Sequence, residues 1–92
     1  MIIFTVKIRD NKIIRLTTKQ WKNIVYRHPE ISNKLSEMEN TLTFPDYKKE
    51  ENNITKYYKY IKEEDKYMMV ACKLLNGDGF VITGYITRKI QK

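Results

Sequence analysis

The chain has 92 residues and 11.1 kDa, which makes one domain, residues 1–92, able to bury about 65% of its unfolded surface without metal or disulfide support. No apolar run approaches the roughly 18 residues of a membrane span, so no membrane role is expected, and the lone Cys72 excludes an internal disulfide and points to a reducing, cytoplasmic home. The net charge of +7 favours a polyanionic partner. It is uneven, with +6 in residues 1–34 against −3 in 35–51.

Met1 to Arg9 alternates around Ile2, Phe4, Val6 and Ile8, a strand pattern. Lys7, Arg9, Asp10 and Lys12 break this stretch before a signal-peptide core can form. Asp10-Asn11-Lys12 reads as a turn and Ile13 to Leu16 as the return strand of a hairpin. Thr17 and Gln20 then fit a capping box, with Leu16 and Trp21 as its hydrophobic staple. Trp21, Ile24, Val25 and His28 lie on one helix face, and Pro29 predicts an end at Arg27 or His28.

Pro29 and Glu30 suit the first turn of a second helix with a buried stripe of Ile31, Leu35, Met38 and Leu42, stopped by Phe44-Pro45-Asp46. The remainder reads as strands at 46–50, 54–61, 67–75 and 80–87, with turns at Glu63-Glu64-Asp65 and Asn76-Gly77-Asp78-Gly79. The expected fold is α+β: an N-terminal β-hairpin, two helices, then an antiparallel four-stranded meander sheet packed on the helices. Strict alternation turns Phe80, Ile82, Gly84 and Ile86 toward the helices together with Met68, Val70, Cys72 and Leu74. Lys73, Thr83 and Tyr85 would then share an open face.

His28 is the sharpest chemical feature, since imidazole alone titrates near neutrality and proton transfer works best there. At a helix C-terminus it could equally cap the last carbonyls. Tyr57, Tyr58 and Tyr60 alternate with Lys56, Lys59 and Lys62, a pattern suited to stacking on unpaired bases with lysines on phosphates. Tyrosine is also simply a good strand residue. Trp21 and Cys72 read as core. Glycine-rich phosphate loops, paired histidines, Ser-His-Asp order and Cys-x-x-Cys are absent, so no metal site and no cofactor is expected, and any catalysis would be acid–base work beside cationic groups.

Thr17-Thr18-Lys19-Gln20-Trp21 through Ile24, followed by Arg27-His28-Pro29-Glu30-Ile31, resembles the helix and H-P-E motif of small phage and bacterial proteins grouped with the barnase/EndoU/colicin/RelE superfamily of metal-independent ribonucleases. Phe44-Pro45-Asp46 fits the break before that family's sheet. Met69 to Lys73 and Gly79 to Tyr85 look like its last two strands, the latter carrying V-x-T-x-Y. The resemblance spans residues 13–90. It implies a toxin-like or phage-associated endoribonuclease in which an RNA 2′-hydroxyl attacks the adjacent phosphate.

Carried onto this chain, the resemblance makes His28 the acid–base group. Lys73 and Arg88 would stabilise phosphate charge, with Arg27 as a second choice, and Thr83 and Tyr85 would orient substrate or donate a proton. Tyr57 or Tyr58 would stack on a base, and Glu30 would orient His28. No sheet glutamate corresponds to a barnase-style carboxylate base. The alternatives are a non-catalytic RNA- or DNA-binding module on the same sheet, and a basic subunit that binds an acidic antitoxin or immunity protein.

Overall fold

A computed structural model describes residues 1–90. Strands β1 (Ile2–Lys7) and β2 (Ile13–Thr17) form the expected hairpin, and Asn11, whose positive φ an asparagine tolerates, makes its turn. Thr17 closes β2 and caps helix α1 (Thr18–Arg27), accepting the Gln20 backbone N–H at 3.2 Å. Only this half of the capping box forms, because the Gln20 side chain points elsewhere. A 3-10 turn (Pro29–Ile31) and helix α2 (Leu35–Thr43) follow.

The single second helix expected from Pro29 onward is therefore split. Ser32 and Asn33, which favour caps and turns over helix interiors, occupy the break. Lys34, at the N-cap position of α2, donates its ammonium to Glu64, and this bond raises the lysine pKa against the lowering effect of burial. Strands β3 (Tyr47–Glu51), β4 (Ile54–Ile61), β5 (Lys66–Leu74) and β6 (Asp78–Thr87) complete the chain.

The four-stranded antiparallel meander is overturned. All six strands form one mixed sheet in the order β1-β2-β6-β5-β4-β3, with β2 parallel to β6 through Ile13–Asp78, Ile14–Gly79 and Arg15–Phe80. A free two-stranded hairpin is marginal in water and would leave its apolar row half covered. Docked on β6, it buries Ile14 and Leu16 completely, and Arg15 pairs with Asp78 across the junction.

Both helices lie on one side of the sheet. The core between them joins Phe4, Val6, Ile14 and Leu16 to Ile24, Ile31, Met38 and Leu42, and to Met68, Val70 and Cys72. A second cluster of Tyr58, Met69 and Ala71 lies on the opposite face, with Tyr85 and Ile90 packed against it.

Strict alternation also fails along β6. Ala71 pairs with Thr83 but Cys72 pairs with Val81, so Ile82 is the extra residue of a bulge. The bulge restores Val81 to the core at 1% exposure and leaves Phe80 outside at 43%. Among the described residues no helix is long and apolar enough to cross a membrane.

Candidate active site

The parallel pairing of β2 with β6 is short. It ends at Arg15–Phe80, after which the chain leaves β2 at Thr17 and continues as α1. The second half of β6 consequently has a helix, not a strand, along that edge. The Gln20 side-chain amide donates to the Ile82 carbonyl, meeting the polar group that the bulge leaves outside the ladder. Between helix and strand opens a cleft of about 590 Å³, walled by Gln20, Asn23, Tyr26, Arg27 and His28 and floored by Ile82 and Thr83.

His28 stands at its end. Pro29 excludes continued helix, and the cap residue has φ −132° and ψ 74°. Its backbone N–H, not its ring, meets the Ile24 carbonyl, at 2.8 Å. The imidazole makes no hydrogen bond to a helix carbonyl among the described residues and rests on Tyr85, with ring centroids 5.1 Å apart at a tilt of 42°. Its Nδ1 lies 3.8 Å from Glu30 Oε2, within ion-pair range but beyond a hydrogen bond. The side chain is about one-third exposed. Such a ring is held on one face and accessible to a substrate.

Four of the residues singled out in the sequence thus meet in one place: Arg27, His28, Thr83 and Tyr85. The others lie apart. Lys73 is exposed on the same sheet face as Tyr85 but pairs with Phe80, whereas Tyr85 pairs with Met69. Four residues of strand, or about 13 Å, separate the two levels. Arg88 is outside the cleft, in an adjoining depression with Glu30, Glu64 and Lys66 that shares Glu30 with His28.

The tyrosine–lysine run is divided by strand parity. Lys56 and Tyr58 lie on the face away from the helices, while Tyr57 and Lys59 lie on the helix side. Tyr57 is 2% exposed, and burial pushes its hydroxyl pKa well up. Its hydroxyl makes no hydrogen bond among the described residues. Tyr58 is buried too, its ring 6.0 Å from that of Tyr47. Lys59 donates to the Phe44 carbonyl at 2.9 Å. Neither tyrosine offers a face to a base, since both are taken up by packing.

Sequence reasoning missed Asn23 and Tyr26 as cleft residues. Both lie off the apolar stripe of α1, and an aromatic on the polar side of an amphipathic helix is the available signal. Among the described residues no group of three or more His, Cys, Asp or Glu is arranged to hold a metal ion. Comparison of the chain with protein-family models, with curated proteins and with solved structures finds no match.

Proposed function

We propose that this chain is a metal-independent endoribonuclease, toxin-like in character, that works on RNA in the cytoplasm at the cleft between α1 and β6. One observation carries the reading: the only imidazole of the sequence is held against Tyr85 and Glu30 at the mouth of a cleft that also presents Arg27 and Thr83. Capping does not account for that placement, since the ring makes no hydrogen bond to a helix carbonyl among the described residues.

The chemistry needs three things. A base must take the 2′-hydroxyl proton as the 2′-oxygen bonds to phosphorus; cationic donors must stabilise the charge developing on the phosphoryl oxygens; and an acid must protonate the departing 5′-oxygen. His28, its ring on Tyr85 and its Nδ1 3.8 Å from Glu30, is the group that would exchange a proton with substrate. Arg27 would supply guanidinium donors suited to phosphate oxygens, and Thr83, in the cleft, and Tyr85, against the His28 ring, would orient the phosphate or donate the leaving-group proton. The products are a 2′,3′-cyclic phosphate and a 5′-hydroxyl.

The test is cleavage of a labelled single-stranded RNA in excess EDTA by wild type, His28→Ala and Tyr85→Phe. The reading expects cyclic-phosphate ends from wild type and a loss of at least about 100-fold in His28→Ala, the scale of a positioned acid or base. Salt-sensitive RNA binding without strand scission would overturn it in favour of a binding module. Capture of an acidic partner protein instead of RNA would favour the antitoxin- or immunity-binding reading.

A further inference from the structure

Helix α1 carries Lys19, Lys22 and Arg27 and no acidic residue. Tyr26 stands among them with 88% of its surface exposed, as an aromatic ring that contributes little to the core. Lys22 lies one turn before Tyr26 on the same helix surface, and Asn23 and Arg27 form the adjacent ridge. Residues two apart on a regular helix face different ways, but the non-helical geometry of His28 breaks that phase, and Tyr26 and His28 line one cleft. Their Cα atoms are only about 5.5 Å apart by helix geometry. A cationic helix without carboxylates attracts phosphates with no like charge of its own to oppose them, and an exposed ring beside it offers a π-face that water hydrates poorly.

We propose that Tyr26 is the stacking platform for an unpaired base next to the scissile phosphate, so that the site takes single-stranded and not duplex RNA. This rests on the ribonuclease reading of the same cleft and specifies its substrate. In a duplex each base is already stacked and paired, and no face is available to Tyr26; in a loop or single strand it is. Lys22 and Arg27 then lie beside the flanking phosphates. Phosphate contacts supply affinity, and the stacked base fixes which bond reaches His28.

The experiment uses a fluorescent 2′-O-methyl oligoribonucleotide, which lacks the attacking hydroxyl and so reports binding whether or not the protein cleaves RNA. Anisotropy titrations compare it single-stranded and annealed to its complement, with wild type, Tyr26→Phe and Tyr26→Ala. The single strand is expected to bind at least about 10-fold more tightly than the duplex. Tyr26→Ala should lose about 5- to 150-fold, the range of one base–aromatic stack, while Tyr26→Phe retains binding. Equal affinity for duplex and single strand, or unchanged binding by Tyr26→Ala, would overturn the proposal. Stacking by Tyr26 without cleavage of unmodified RNA would keep the single-strand platform but remove the scissile phosphate beside it, and with it the nuclease reading.

Discussion

Gly79→Ala tests the mixed sheet directly. A β-carbon at this position would lie 2.5 Å from the Lys73 carbonyl oxygen, 3.0 Å from Leu74 Cδ2 and 3.2 Å from Ile14 Cδ1. The closest neighbour is backbone of the adjoining strand, so relief requires β5 and β6 to separate or shift. Ile14, on the other side, belongs to β2, which closes the escape route that an edge strand would have. Overpacking of this kind costs about 1–3 kcal/mol, against which alanine recovers about 0.5–1 kcal/mol of backbone entropy in a strand. With backbone as the obstacle, the net loss belongs near the upper end, about 2 kcal/mol, or a Tm lower by about 8–16 °C for a domain of this size. Urea and thermal unfolding followed by circular dichroism measure it. Gly84→Ala is the control: its β-carbon would meet Met38 Cε at 2.7 Å, the movable end of a flexible side chain, and should cost less. Equal stability of Gly79→Ala and wild type would refute the argument, because it would mean β6 has an open side at Gly79.

The bulge predicts an inversion of the alternating pattern: Val81→Ala should cost about 1–2 kcal/mol while Phe80→Ala stays within about 0.5 kcal/mol of wild type, both from urea midpoints. Gln20→Ala removes the donor to the Ile82 carbonyl and should cost about 1 kcal/mol, together with RNA cleavage lowered by loosening of the cleft wall; an unchanged Tm and rate would count against that contact. Burial pushes the Cys72 thiol up to about 12. Since the thiol ionises more easily in the unfolded chain, its contribution to stability is complete below about pH 9 and is lost as pH rises toward 12. Unfolding free energies measured across that window should fall less steeply in Cys72→Ala, and an identical slope would exclude the thiol as a cause.

The local elements were legible in the sequence and the long-range pairing was not. Thr17, Leu16, Trp21 and Pro29 fix the start and stop of α1 through interactions within a few residues, so the pattern alone bounded it. The β2–β6 pairing joins residues more than sixty positions apart, and nothing local in Ile13-Ile14-Arg15 distinguishes a free hairpin from one docked in parallel on Asp78-Gly79-Phe80. The same limit applied to the candidate site. The resemblance, not local geometry, joins His28 to Thr83 and Tyr85, because the contact between the His28 and Tyr85 rings spans more than fifty positions of chain. Lys73 was joined to them on parity, which records a face but not a level along the strand. Tyr57 was misread because alternation says two faces exist, not which of them is covered.

The bulge, the short parallel pairing and the cleft belong to one structural event at Ile82. Had β2 continued alongside β6, the β6 edge would be saturated by ladder hydrogen bonds, and Thr83 and Tyr85 would lie within an unbroken sheet. Because Thr17 ends the strand and begins the helix in the same residue, the chain turns away and substitutes side chains for backbone along that edge. Gln20 satisfies the carbonyl freed by the bulge, and ten residues of helix carry the chain to His28, opposite Tyr85. A substitution that lengthened β2 or erased the bulge would disturb the Arg27–His28–Thr83–Tyr85 grouping without touching any of its members. Deletion of Ile82 is the sharpest such change: Val81 stays opposite Cys72 and Thr83 opposite Ala71, so both keep their faces, while the carbonyl that Gln20 bonds and part of the cleft floor are removed. It should abolish RNA cleavage while the protein still folds, whereas retention of activity would separate the chemistry from this geometry.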